Sequence, residues 1–372
     1  MDRNHEIDGL RGWAALVVIF FHFFAEIFGR MFPYLHSPYL NFVLNGHLMV
    51  LVFFILSGDA LSYSFFRDKD IRATARIATA RYFRLALPIL ISCMLVWLSM
   101  RTMITHNLDA ASVVHREDWL GNFIDFAPSF TGALKYSLNG VFFHHALKTS
   151  YNPFLWPMAI ELMGSLLVFV NVLILSRHRS PLVVLCVEAV YFFVFSEFYF
   201  LFVLGMIFGY LRSRGTFARL RALKANWLFL AAFLFIGLIV FTFWKQPMQS
   251  LFTTVTFDRI DAESLNFLWA GLIVFVVYSS ASLARFFGNA LSRFLGEISF
   301  PLYVFQFNVL VTFTSFLIVV TDASGRLNGR TYWIIALSSI AVTVVVAWAF
   351  RFFEKKYLSF VNGKIRTAMV EE

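Results

Sequence analysis

Charge is what this chain most lacks. Of its 372 residues only 14% are Asp, Glu, Lys or Arg, against 59% hydrophobic, and the mean hydropathy is +0.73. Soluble domains carry roughly 25% charged residues, so there is too little polar side chain here to clothe a water-facing body of this length. Cysteine is nearly absent as well. The two present, Cys93 and Cys186, sit inside apolar runs, which points to packing rather than to a disulfide or a metal centre. The hydrophobic runs do not alternate with polar residues, which argues against a membrane β-barrel. Linkers rich in Pro or Gly/Ser, low-complexity tracts and internal repeats are also missing. The opening MDRNHEID is mixed in charge, and no small-residue cleavage site follows the first apolar run. That run is therefore expected to be kept as a membrane helix.

What the chain has is phenylalanine, 48 of them, and long apolar stretches. At about 20 residues per span, hydropathy marks ten candidates: 10–28, 47–66, 82–100, 154–175, 181–196, 198–211, 227–244, 265–283, 296–320 and 331–353. The fifth and sixth are divided only around Ser196 and Glu197. The expectation is an all-α polytopic membrane protein of about ten transmembrane helices, with both termini cytoplasmic. A single transmembrane domain over 1–372, with no appended soluble domain, is expected too. This topology places 22 of the 31 Lys and Arg residues inside, in the stretches 1–11, 67–84, 177–179, 212–224, 285–293 and 351–366, as the positive-inside rule requires. Those flanks also account for the net charge of +9, so nucleic acid is not expected as a partner. The longest segment between spans, 101–153, falls outside. It carries Asp109, Glu117, Asp118, Asp125, His144 and His145, and ordered loops of such length tend to cap or gate a site.

Ionisable residues inside the apolar runs are costly and therefore informative. The first span, EIDGLRGWAALVVIFFHFFAEIF, holds Arg11, His22 and Glu26. Eleven residues make three helical turns with about 20° of drift, so Arg11 and His22 share a face, about 16 Å apart along the axis. If Arg11 lies at a membrane surface, His22 lies near the midplane. Glu26, four residues further on, is within reach of His22. Histidine is the side chain whose ordinary pKa suits proton exchange near neutrality. Arg81 and Arg84, three apart, form a guanidinium pair suited to phosphate, although positive-inside topology alone also explains either one. Glu161 lies in another apolar run, where a carboxylate must be paired, protonated or in a wet cavity. It can orient His22, bind an acceptor hydroxyl or form an interhelical salt bridge. Gly205 and Gly209 fit close helix packing.

Four stretches in order carry a resemblance: RGWAALVVIFFH (11–22), VFFILSGDALS (52–62) with ARYFRLALP (80–88), NPFLWPMAIELMGS (152–165) and LGEISFPLYVF (295–305). Together they resemble the acyltransferase-3 family of integral membrane acyltransferases over residues 6 to about 356. The resemblance implies transfer of an acyl group, acetyl by expectation, from cytoplasmic acyl-CoA to a hydroxyl. The acceptor would belong to a cell-envelope or exported glycan or a small metabolite, and the protein to the inner cell membrane among its lipids. It implies catalytic roles for His22 and Glu161. Arg11, Arg81 and Arg84 would hold the CoA phosphates. Trp156, Asn152 and Tyr303 would meet substrate, and no metal is expected. Two positions depart from the family pattern: Asp59 stands where an apolar residue is usual, and Gln306 where many members carry histidine. Glutamine can hydrogen-bond but cannot relay a proton. The competing reading is a proton-coupled transporter using the same His and Glu residues, but matching broken helices in two halves are missing.

Overall fold

The computed structural model of the chain describes residues 4–36, 40, 44–223, 226–228, 231–232, 235 and 262–368. These residues form helices and turns, with no strand among them. The principal helices are α1 (His5–Phe20), α2 (Gly46–Asp68), α3 (Ile71–Arg101), α4 (Pro157–Leu175), α5 (Pro181–Phe195) and α6 (Glu197–Ser213). They continue with α7 (Ala262–Ser279), α8 (Ala281–Phe287), α9 (Ala290–Val309), α10 (Ser315–Ala323) and α11 (Gly329–Ala368). Helix α1 runs on into a π-helical stretch, Phe21–Glu26, and a second one, Leu310–Thr314, joins α9 to α10.

Among the described residues six helical stretches are long and apolar enough to cross a membrane: His5–Glu26, Gly46–Asp68, Ile71–Arg101, Pro153–Leu175, Ala290–Ala323 and Gly329–Ala368. The expected eighth span is instead two helices bent by 94°. Its polar YSSAS run explains the break. Ser280 is extended and caps α8 by accepting from the Leu283 amide, while Asn226 accepts from the Ala281 amide and donates to the Ser279 carbonyl. The fifth and sixth expected spans are the separate helices α5 and α6, parted by an extended Ser196. The seventh, 227–244, lies for the most part outside the described residues. Helix α3 starts eleven residues before its expected span. Asp70 accepts from the Ala73 amide at its start, and the alanine-rich RATARIATAR continues the helix.

The chain divides into two compact units, each discontinuous in sequence: 1–14, 47–77 and 163–296 in the first, 15–46, 78–162 and 297–372 in the second. The first is built on glycine crossings. A Cβ at Gly12 would overlap the backbone of Leu295 and Gly296, one at Gly58 the Phe202 carbonyl, and one at Gly205 the Ile55 carbonyl. Two helix pairs therefore approach to backbone contact, as small residues permit. At the second crossing Asp59 is 0% exposed. It accepts from the Arg212 guanidinium at 2.7 Å and from the Tyr278 hydroxyl at 2.5 Å, and Arg212 also stacks 3.5 Å from the Tyr63 ring centroid. The departure from the family pattern at Asp59 is thus a buried ion pair tying α2 to α6 and α7.

In the second unit, several polar side chains inside the helices pair with one another. Ser92 donates to Asn308 Oδ1 at 2.7 Å, and Asn308 returns a bond to the Ser92 carbonyl at 3.0 Å. Glu297 is shared by Arg351 at 2.5 Å and Lys355 at 3.0 Å. The 101–153 segment folds as short helices and turns. Asn107 pins one turn by donating to the Leu120 and Phe123 carbonyls, and the His106 amide donates to Val311 O at 2.9 Å.

Candidate functional site

His22 lies in the π-helical stretch of the first span, where its carbonyl accepts from the Ile27 amide five residues on. Such stretches are frequent at functional sites because the extra residue pushes the chain outward and re-aims a side chain. The α-helical spacing that aligns Arg11 with His22 therefore holds only as far as Phe20. His22 is half-buried, and its Nδ1 is 3.0 Å from Gln306 Oε1. The Gln306 amide nitrogen donates to the Tyr303 carbonyl at 3.0 Å, which turns the oxygen towards the imidazole. An oxygen can only accept, so Nδ1 carries the proton and Nε2 keeps its lone pair. No described residue hydrogen-bonds Nε2. Gln306 thus holds the ring in one tautomer, a task that needs no proton transfer.

Aromatic rings hold the other face. Phe154 stacks on His22 with centroids 4.0 Å apart and planes 16° apart, and Trp119 lies 6.1 Å away at 25°. Phe123 closes against both Trp119 and Phe154. Phe154 is placed by its own loop. The Tyr303 hydroxyl donates to the Phe154 carbonyl, and Asn152 donates to Ser92 Oγ and to the Val304 carbonyl, each at 3.0 Å. Asn152 and Tyr303, expected at the substrate, are both buried, and their polar groups fix the loop that presents Phe154 to His22. Trp156, two residues further on, stays partly exposed at the start of α4.

Two carboxylates were candidates to orient His22, and the structure shows partners for each. Glu161 forms an ion pair with Arg81, with the side chains 10% and 12% exposed. The salt-bridge reading of Glu161 therefore applies, and Arg81 is not a free surface cation. Glu26, within reach of His22 by sequence, pairs with Arg116 Nη2 at 2.9 Å, and a second Arg116 nitrogen donates to the Glu26 carbonyl. Arg116 is itself buried and lies over the Trp119 ring, 5.1 Å from its centroid. Arg84 is exposed, within electrostatic range of Glu354. Arg11, in the other compact unit, donates to the Leu56 carbonyl at 2.9 Å.

Sequence reasoning missed Phe154, Trp119 and Arg116. Phe154 stands inside the quoted NPFLWP motif, so a signal existed. Trp119 and Arg116 lie in a segment without periodicity, where nothing marks which residues turn inward. The backbone marks them instead. His115 and Ile124, flanking this turn, have φ of 56° and 50°, left-handed values that cost energy for any residue but glycine and cluster near sites.

A family model described as an acyltransferase domain matches residues 4–352 of the chain. No curated protein and no solved structure matches it.

Proposed function

Because the chain belongs to the acyltransferase-3 family and is a multi-pass membrane acyltransferase, we propose that it transfers an acetyl group from acetyl-CoA to a hydroxyl of a cell-envelope or exported glycan. The inner cell membrane is the proposed setting. One observation carries the reading: His22 is held through Nδ1 by Gln306, leaving the basic Nε2 without a described partner. In the proposed step Nε2 takes the proton of the acceptor hydroxyl while its oxygen bonds to the thioester carbonyl carbon. The carbon–sulfur bond then breaks, and the imidazolium returns the proton to the departing CoA thiolate. Phe154, with Trp119 packed beside it, keeps the ring from rotating and excludes water from the face it covers. Arg84 is the proposed partner of the CoA phosphates in the unit that holds His22. Arg81 joins it only by sharing its charge with Glu161. Asn152 and Tyr303 act through Phe154, and Trp156 is left to meet the acceptor. The transporter reading is not favoured, because the family match covers residues 4–352.

The test is transfer of labelled acetyl from acetyl-CoA to a panel of glycans by the full chain in lipid nanodiscs. His22→Ala is expected to reduce turnover by about 10²–10⁴-fold, the usual worth of a general base, while leaving acetyl-CoA binding largely intact. Gln306→Leu should lower turnover less and leave KM for donor nearly unchanged, because the base survives but loses its fixed tautomer. A folded His22→Ala protein that transfers at the normal rate would overturn the assignment.

A further inference from the structure

Away from His22, the 101–153 segment encloses a groove of about 570 Å³, within the range of ligand-binding clefts. Its floor is aromatic: Tyr136 and Tyr151 are buried and Phe126 is half-buried. Lys135 and Lys148 stand exposed in its lining, with Asn139, His144 and Thr149, and no carboxylate residue is among the lining side chains. Among the described residues neither lysine takes part in a side-chain hydrogen bond or ion pair. Two glycines keep the groove open. A Cβ at Gly132 would press on the Tyr151 hydroxyl at 3.1 Å, and one at Gly140 on the Tyr136 ring at 3.2 Å. Residues Tyr136–Gly140 are π-helical, the same local device that re-aims His22.

The floor is built rather than accidental. The Tyr136 hydroxyl accepts from Ser150 Oγ at 2.6 Å, lies 3.0 Å from His145 Nδ1 and donates to the Asn152 carbonyl at 3.2 Å. Burial pushes the Tyr136 phenol up and the His145 imidazole down, so both are neutral at neutral pH and the groove's charge comes from its lysines. Asn152 belongs to the loop that carries Phe154 against the His22 ring. The groove floor is therefore one hydrogen bond from the segment that shapes the catalytic imidazole.

The half-buried Phe126 ring suits the apolar face of a sugar ring, amide and hydroxyl groups suit its hydroxyls, and paired unneutralised lysines suit carboxylates. We propose that this groove is a recognition site for an acidic saccharide, and that it selects a negatively charged glycan as the acyl acceptor. The second half of this rests on the reading of His22 as the acyl-transfer base; the binding half does not.

The experiment measures binding of tetragalacturonate and of size-matched, neutral maltotetraose to the full chain in nanodiscs of zwitterionic lipid, with no donor present. Tetragalacturonate should bind and maltotetraose should bind at least about ten-fold more weakly. Lys135→Gln/Lys148→Gln should weaken tetragalacturonate by about ten-fold or more, and Lys135→Arg/Lys148→Arg should retain most of the affinity. Both lysines are exposed, so these variants are expected to fold. Gly140→Leu, which crowds the floor, should abolish binding as well. His22→Ala should bind like the parent. Equal binding of the neutral sugar, or no effect of the lysine changes, overturns the proposal. So does displacement of tetragalacturonate by acetyl-CoA or by phosphatidylglycerol vesicles in competition for the same lysines, because the groove would then be a donor or lipid-headgroup site. Intact, lysine-dependent binding with no acetyl transfer to any acidic glycan would uphold the recognition site and sink the catalytic reading alone.

Discussion

Arg81 and Glu161 show how much a side chain's meaning depends on its partner. As an arginine near the start of a membrane helix, Arg81 reads as a surface cation whose removal does little harm. In the fold it and Glu161 are each other's counter-charge with little solvent around either. Removing one takes away the main counter-charge of a largely buried group, a loss worth up to about 3–5 kcal/mol, whereas removing both together often costs little. Arg81→Met is therefore expected to lower the apparent melting temperature in detergent clearly, and Arg81→Met/Glu161→Met to recover most of the loss. If the double variant is as unstable as the sum of the single ones, the pair is not coupled. Donor binding is better probed at Arg84, which is exposed, with the melting temperature of the same variant read beside the affinity because Arg84 faces Glu354. The same lesson applies to other basic residues counted as topology signals. Arg212 is spent on Asp59, Arg221 on Glu6 and Arg351 on Glu297.

Among the elements, two kinds of local feature shape the protein: glycine crossings and π-helical stretches. The glycines of the RGW and LGE motifs meet where α1 crosses α9, where a Cβ at either would overlap the backbone of the other helix. Gly12→Val is expected to destabilise by about 3 kcal/mol, the upper range for overpacking when the neighbour is backbone. Gly363 sits in α11 with nothing near a Cβ, so Gly363→Ala should stabilise by roughly 0.5–1 kcal/mol through the entropy of the unfolded chain. Thermal unfolding of the two variants side by side checks the contrast. A neutral Gly12→Val would mean that the helices are not in backbone contact. The π-helical stretches resist prediction for a physical reason. They arise when tertiary contacts favour one extra residue in a turn, and no propensity of Phe, His or Tyr encodes that preference.

At the scale of the whole molecule, the length of α11 bears on how the chain sits in the bilayer. Its 40 residues span about 60 Å at 1.5 Å per residue, twice a hydrocarbon core of about 30 Å. The end carrying Lys355, Lys356, Lys364 and Arg366 must therefore project into water. From the division of basic residues we propose that this end is cytoplasmic and the 101–153 segment outside. In a background with Cys186→Ser, a cysteine at the exposed Ser112 should react with an impermeant maleimide from outside only, and one at the exposed Thr367 from inside only. The opposite pattern would invert the topology.

Composition placed the chain in a membrane, because apolar surface on this scale has no other place to go, and the unbroken rather than alternating apolar runs made it helical. The four motifs, in order, were enough to point to the acyltransferase-3 family and to single out His22. What the sequence could not decide is which group holds the imidazole. Glu26 and Glu161 are candidates by charge, but ion pairing with arginines from distant segments claims both, and a neutral glutamine 284 positions away does the work. Partner choice of this kind depends on which helices pack together and on competition among buried charges for counter-charges. Both are properties of the folded chain, and no local pattern of residues records them.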